Sequence, residues 1–202
     1  MIFRQLFDGT SGTYSYLLAS RAGGEALILD PVLEKVDRYC QLLRELDLKL
    51  VKAVDTHLHA DHITGLGELR DRTHCVTIMG EQSKADVVAM RVAEGDKVTI
   101  EGLSLDVMYT PGHTDDSYSY LMGDRVFTGD TLLIRGTGRT DFQNGVEDQR
   151  LAAGAARQQI AVGSGDSVEQ LAKDHGGLPR KVIPGITIIM LRPDIAPALL
   201  PQ

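Results

Sequence analysis

Thr56-His57-Leu58-His59-Ala60-Asp61-His62 is the stretch that decides the fold of this chain. Three of the six histidines fall within six residues, with an aspartate among them. The preceding run, Leu48–Val54, reads as a strand that ends at Asp55-Thr56-His57. His57 and His59 alternate with Leu58 as the chain leaves that strand, so both imidazoles can face one side. Imidazole and carboxylate together suit Zn, Fe or Mn. A solvated polar loop is the plain alternative, but such a loop rarely needs three histidines.

Two more strand ends carry the same kind of residue. Thr110-Pro111-Gly112-His113-Thr114 is a turn after the strand Leu103–Tyr109, where Pro and Gly stiffen the backbone that presents His113. Thr128-Gly129-Asp130-Thr131 follows the strand Arg125–Thr128, and Gly129 permits close backbone approach beside the Asp130 carboxylate. Alone, each is ordinary: a turn histidine, a capping aspartate. Together with the histidine cluster they make three ligand-bearing strand ends in one chain.

Around these ends, Ile2–Phe7 and Tyr14–Ala19 read as strands across a Gly/Ser/Thr turn. Ala26–Leu29 is a short buried strand that stops at Asp30-Pro31. Residues 33–47 carry apolar side chains at helical spacing, from Leu33 through Val36, Tyr39, Cys40 and Leu43 to Leu46. Gly65–Asp71 predicts a short helix, and Cys75–Met79 and Lys97–Ile100 predict strands. Tyr118–Leu121 and Arg125–Thr128 predict a hairpin across Met122-Gly123-Asp124. Further on, Ser167–Lys173 reads as a helix and Ile186–Leu191 as a strand. Strands in adjacent pairs mixed with helices give α/β layers with mixed sheets.

Composition bounds the function. The chain has 202 residues and is 43% hydrophobic, enough for a packed core. Its 21 basic and 28 acidic residues give a net charge of −7 and a pI near 5.3. No nucleic-acid partner and no anionic membrane are expected, since either calls for a basic face. No apolar run approaches the ~20 residues of a membrane helix, and the start, MIFRQLFDGT, does not look like a signal peptide. Cys40 and Cys75 cannot build a disulfide framework. Cys40 and His74-Cys75 read as core packing, and Asp115-Asp116 as a cap or a solvated loop. A soluble cytoplasmic protein is the expectation.

The chain changes character near Gly145. All ten aromatics lie between Phe3 and Phe142, and five of seven prolines between Pro179 and Pro201. Residues 146–202 carry six acidic and six basic side chains, so residues 1–145 hold the whole −7.

THLHADH, TPGHT and TGD resemble the metallo-β-lactamase superfamily, which implies an αββα sandwich with a metal site on strand-end loops. The run from Phe127 through Asp130, Arg135 and Arg139 to Gln143, with HADHITG and Asp30-Pro31-Val32, is similar to the persulfide (sulfur) dioxygenases of that superfamily. This resemblance covers residues 1–145. It implies one Fe(II) per chain held by a 2-His-1-carboxylate triad, mapped onto His57, His113 and Asp130, with Zn as the alternative metal. His59, Asp61 and His62 match superfamily metal positions but would act around the iron rather than on it. The implied reaction takes glutathione persulfide and O₂ to sulfite and glutathione. Arg135 and Arg139 suit the glutathione carboxylates, or an internal salt bridge such as Arg139 to Asp141; both readings stand open.

Beyond Gly145 the resemblance stops. Family members carry a later Pro-x-His-Asp-Tyr type motif, and the one downstream histidine here is His175, which reads as a surface loop. Residues 1–145 are expected to form the core, with 146–202 an atypical or incomplete end of the same domain: divergent, truncated or frame-shifted. A dinuclear glutathione thioester hydrolase of the glyoxalase II kind would lose a ligand; it is the alternative enzyme. A non-catalytic metal-binding remnant is the third reading. A segment with no aromatic residue, few sustained apolar runs and five prolines predicts a homodimer or a marginally stable chain.

Overall fold

The computed structural model describes residues 1–123, 125–133, 138–140 and 187–189. The chain forms two compact units, Met1–Val92 with Lys97–Ser104 and Ala93–Asp96 with Leu105–Gln202.

The first unit is built on a six-stranded mixed sheet whose strands follow chain order: β1 (Ile2–Phe7), β2 (Tyr14–Ala19), β3 (Glu25–Leu29), β4 (Lys49–Val54), β5 (Val76–Gly80) and β6 (Met90–Val92). The first two pairings are antiparallel and the remaining three parallel. A short 3₁₀ turn, Leu33–Lys35, leads into α1 (Val36–Glu45), and α2 (Leu66–Thr73) follows β4. The turn explains why the predicted helix over 33–47 is shorter as an α-helix: tighter pairing after Pro31, with the Lys35 amide on the Val32 carbonyl at 3.1 Å, replaces its first turn. Val36, Tyr39, Leu42 and Leu43 form the buried face of α1. They pack into one cluster with Leu17 and Ile28 of the sheet and Leu66 and Leu69 of α2. Burial of each such leucine is worth about 1.5–3 kcal/mol. Cys40 packs on the edge of that cluster and Cys75 is buried, as a core role requires. His74 differs from the core reading: it is exposed and caps α2 at φ 58, a left-handed position that composition does not announce. The unit also contains β7 (Lys97–Ile100).

The boundary between the units falls inside β8 (Leu103–Tyr109). In the second unit β9 (Tyr118–Met122) pairs antiparallel with β8 and with β10 (Arg125–Phe127), and β11 (Thr187–Ile189) adds to β10 in parallel. The hydrogen-bonded order there is β11-β10-β9-β8. Leu105, Val107, Tyr118, Tyr120, Val126 and Phe127 are buried in this unit. The strand expected over Ile186–Leu191 is thus β11. The helix expected over Ser167–Lys173, together with Arg135 and His175, lies outside the described residues. Among the described residues no helix is long and apolar enough to cross a membrane.

Candidate metal centre

In the first unit the site grows from the C-terminal ends of parallel neighbours β3 and β4. Asp30 closes β3 at φ 48, a conformation that aspartate tolerates better than most residues. Its carboxylate accepts the Thr56 amide at 2.7 Å and the Thr56 hydroxyl at 3.2 Å, which draws the loop after β4 over the end of β3. Thr56 Oγ1 lies 2.9 Å from His57 Nδ1, so the ring is held on that side. Leu58 is 43% exposed, while His57 is buried and the His57 and His59 ring centroids are 4.2 Å apart. The alternation in sequence therefore puts both imidazoles together.

His59 is enclosed by carboxylates. Nε2 is 3.2 Å from Asp30 Oδ1 and Nδ1 is 3.8 Å from Asp61 Oδ1. Burial disfavours its charged form, but the hydrogen bond and charge of Asp30, with Asp55 and Asp61, outweigh burial and push its pKa to about 9. Desolvation raises the Asp61 carboxyl, yet the His62 hydrogen bond, the charge of His59 and the Thr13 hydroxyl hold it well below the usual carboxylate range. Donor atoms of His59, Asp61 and His62 lie within 4.8 Å of one another, as do those of Asp30, Asp55 and His59.

In the second unit His113 and Asp130 come together. His113 Nδ1 is 2.7 Å from the Arg139 carbonyl oxygen. A carbonyl only accepts, so Nδ1 carries a proton, and in the neutral ring Nε2 is the lone pair. That Nε2 is 3.6 Å from Asp130 Oδ2. The separation is too long for a good hydrogen bond, but two ligands each about 2.1 Å from one ion sit roughly 3–4 Å apart. The donor set, one oriented imidazole and one carboxylate, fits a first-row transition metal. The Asp130 carbonyl in turn accepts the Gly138 amide at 2.8 Å. Around the His113 turn, the Thr114 hydroxyl donates to buried Asp116 at 2.7 Å, and the Thr131 hydroxyl donates to the Thr110 carbonyl at 3.0 Å. Asp116 is thus an internal cap rather than a solvated acid.

Sequence reasoning weighed Arg139 by its guanidinium; the contact it makes with His113 is through its backbone carbonyl, and the residue is exposed. It also passed over the β1–β2 turn. There the Thr13 hydroxyl lies 3.0 Å from Asp61 Oδ2 and 3.1 Å from His62 Nδ1, and Ser11 and Asp8 stand behind it. The available signal was Asp8-Gly-Thr-Ser11, an aspartate placed to bond the backbone three residues on.

Fold and residues define a class. Residues 8–86 and 81–178 match the metallo-β-lactamase superfamily, and the chain has that superfamily's fold. Within it, the mouse mitochondrial persulfide dioxygenase ETHE1 is 45% identical over 148 residues, 72% of this chain and 58% of the mouse protein. The human protein of that name is 39% identical over 180 residues, 88% of this chain and 70% of the human one. A crystal structure of ETHE1 from Myxococcus xanthus aligns with a TM-score of 0.73 at 42% identity, covering 91% of this chain and 95% of that one. This chain belongs to the persulfide dioxygenase family.

Proposed function

We propose that the chain is a non-haem iron dioxygenase for glutathione persulfide, with the balance GSSH + O₂ + H₂O → GSH + SO₃²⁻ + 2 H⁺. The observation that carries this reading is the likeness to human ETHE1 over 88% of the chain. His57, His113 and Asp130 would hold one Fe(II), and two imidazoles with one carboxylate leave further positions open on such an ion. When bound, the iron supplies the O₂ activation that sulfur oxidation needs. The chain's own contribution is orientation and charge. The Arg139 carbonyl fixes the His113 tautomer, Thr56 restrains the His57 ring, and Asp130 gives the site its anionic ligand. Held imidazoles of this kind cost little reorganisation on binding. His59, Asp61 and His62 would set the local charge and hydrogen bonding beside the iron.

Arg139 and Arg135 remain proposed contacts for the glutathione carboxylates. A homodimer and a cytoplasmic location complete the proposal, although the mammalian relatives are named as mitochondrial; cell fractionation tests the latter.

The decisive experiment is anaerobic loading with Fe(II), elemental analysis, and oxygen uptake with glutathione persulfide. About one iron per chain, persulfide-dependent uptake and sulfite as product are expected. Two zincs per chain, with hydrolysis of S-lactoylglutathione and no oxygen uptake, would replace this proposal with a thioester hydrolase.

A further inference from the structure

The β1–β2 turn reaches the histidine loop through one hydroxyl. Thr13 is buried, and its Oγ1 lies 3.0 Å from Asp61 Oδ2 and 3.1 Å from His62 Nδ1. His62 Nδ1 is also 3.2 Å from Asp61 Oδ1. Behind Thr13, the Ser11 hydroxyl lies 2.9 Å from Thr13 Oγ1 and 2.7 Å from Asp8 Oδ2, and Asp8 pairs with Lys35 at 3.2 Å. The His62 side chain is 2% exposed, and among the described residues its Nε2 is buried with no hydrogen-bond partner.

Counting protons settles the direction of these bonds. A carboxylate accepts and never donates. If His62 Nδ1 were a lone pair, it would face the Asp61 carboxylate lone pair to lone pair. With Nδ1 protonated, its N–H is shared by Thr13 Oγ1 and Asp61 Oδ1. The single Thr13 proton then goes to Asp61 Oδ2. Every contact in the triangle now has a proton in it. In the neutral ring Nε2 must then be the lone pair.

We propose that Thr13 is a positioning residue: its hydroxyl holds the Asp61 carboxylate against His62, and the carboxylate so placed locks the ring as its Nδ1–H tautomer, leaving Nε2 a buried acceptor for a proton-bearing ligand atom. The ligand class is a hydrogen-bond donor: a water, or an S–H or N–H of the substrate. A buried acceptor left unsatisfied costs free energy, so the locked tautomer favours occupancy by a donor and disfavours a bare sulfur or carbonyl oxygen at that point. The role in turnover rests on the iron dioxygenase reading; the tautomer itself does not.

The test reads the tautomer directly. The full-length chain, stripped of metal with a chelator, is labelled with ¹⁵N-histidine, and the His62 signals are identified by their loss in His62→Gln. Wild type and Thr13→Ser should show the Nδ1–H form. Thr13→Val, which keeps the shape and removes the hydroxyl, should show a mixture of tautomers. After iron loading, Thr13→Val should keep its iron and lose ~10–100-fold in kcat, with Thr13→Ser restoring most of it. An Nε2–H form in wild type overturns the proposal at once. So does an unchanged tautomer in a folded Thr13→Val, or a Thr13→Ser that behaves like Thr13→Val. Should Thr13→Val fail to fold, Asp61→Leu removes both acceptor oxygens instead and must release the tautomer in the same way. A locked tautomer in a chain that turns over no persulfide would sink the dioxygenase reading and leave the positioning role intact.

Discussion

A Cβ placed on Gly138 would lie 2.3 Å from the Asp130 carbonyl oxygen and 3.0 Å from His113 Cγ. The first of these is backbone, so nothing flexible can yield. Gly138→Ala must therefore push apart the Gly138–Asp130 hydrogen bond and the His113 ring together. Iron content after equal loading should fall at least as far as in an outer-residue variant, ~10-fold or more, with the strands of the fold intact by circular dichroism. Wild-type iron affinity in Gly138→Ala would show that His113 does not need this packing. Asp130→Ala asks a different question of the same site. It removes the anionic ligand, so most bound iron should be lost. His62→Ala removes a ring that the mononuclear reading leaves off the iron, so it should retain metal and lose only part of the activity. Equal loss of iron in His62→Ala and His57→Ala would refute the one-metal assignment.

Among the elements, α1 is tied to the strand ends by one phenol. Ser15 Oγ donates to the Asp30 carbonyl at 2.7 Å, Tyr39 Oη lies 2.8 Å from Ser15 Oγ, and the Val32 amide donates to Tyr39 Oη at 3.1 Å. Since the Ser15 proton is committed to a carbonyl, the Tyr39 proton goes to Ser15. Tyr39→Phe would leave a buried amide and a buried hydroxyl without this partner, a cost of about 1–3 kcal/mol. A fall in Tm of several degrees is expected by calorimetry, since ~1 kcal/mol moves a chain of this size about 2–4 °C; an unchanged Tm would show that water replaces the phenol. The β1–β2 turn carries an acid dependence. The Ser11 amide and hydroxyl, then Lys35, hold the Asp8 carboxyl far below its ordinary value despite burial. A carboxyl depressed in the folded state stabilises the fold above its unfolded pKa of about 3.9, and that contribution fades as pH falls through the folded value. Urea unfolding should therefore find wild type more stable than Asp8→Asn at neutral pH, with the gap narrowing below about pH 4. A constant gap would mean that the turn, not the charge, is what Asp8 supports.

These elements also show what a sequence can announce. β1, β2, β7 and β8 have the bounds their apolar runs predict, because each run is flanked by glycine or polar turn residues. β6 was missed: Met90-Arg91-Val92 has three residues, two of them exposed, and no alternation to read. The histidines and Asp130 were legible because metal ligands come from a short menu of side chains. Their supports were not. A backbone carbonyl at Arg139, an amide at Gly138 and a hydroxyl at Thr13 belong to residues found in any loop, and only the fold gives them a partner.

At the scale of the whole molecule the open balance is apolar coverage. Residues 146–202 contain no aromatic residue, five prolines and as many basic as acidic side chains. Large apolar side chains supply most of the burial that holds a domain together, and prolines at 179, 184, 193, 197 and 201 interrupt whatever helices or central strands they fall in. The first 145 residues hold all the aromatics, so the final segment has no large ring to pack against them. Apolar surface left in that position is covered by a second copy or exposed at a cost in stability. Association then becomes part of the folding free energy, and stability rises with protein concentration. Sedimentation velocity is expected to show a dimer whose dissociation on dilution lowers Tm. Iron binding should weaken less than persulfide affinity on that dilution, since His57, His113 and Asp130 all precede residue 145. A monomer with a concentration-independent Tm, a protease-resistant C-terminal segment and tight persulfide binding would mean that residues 146–202 complete the core without aromatic side chains.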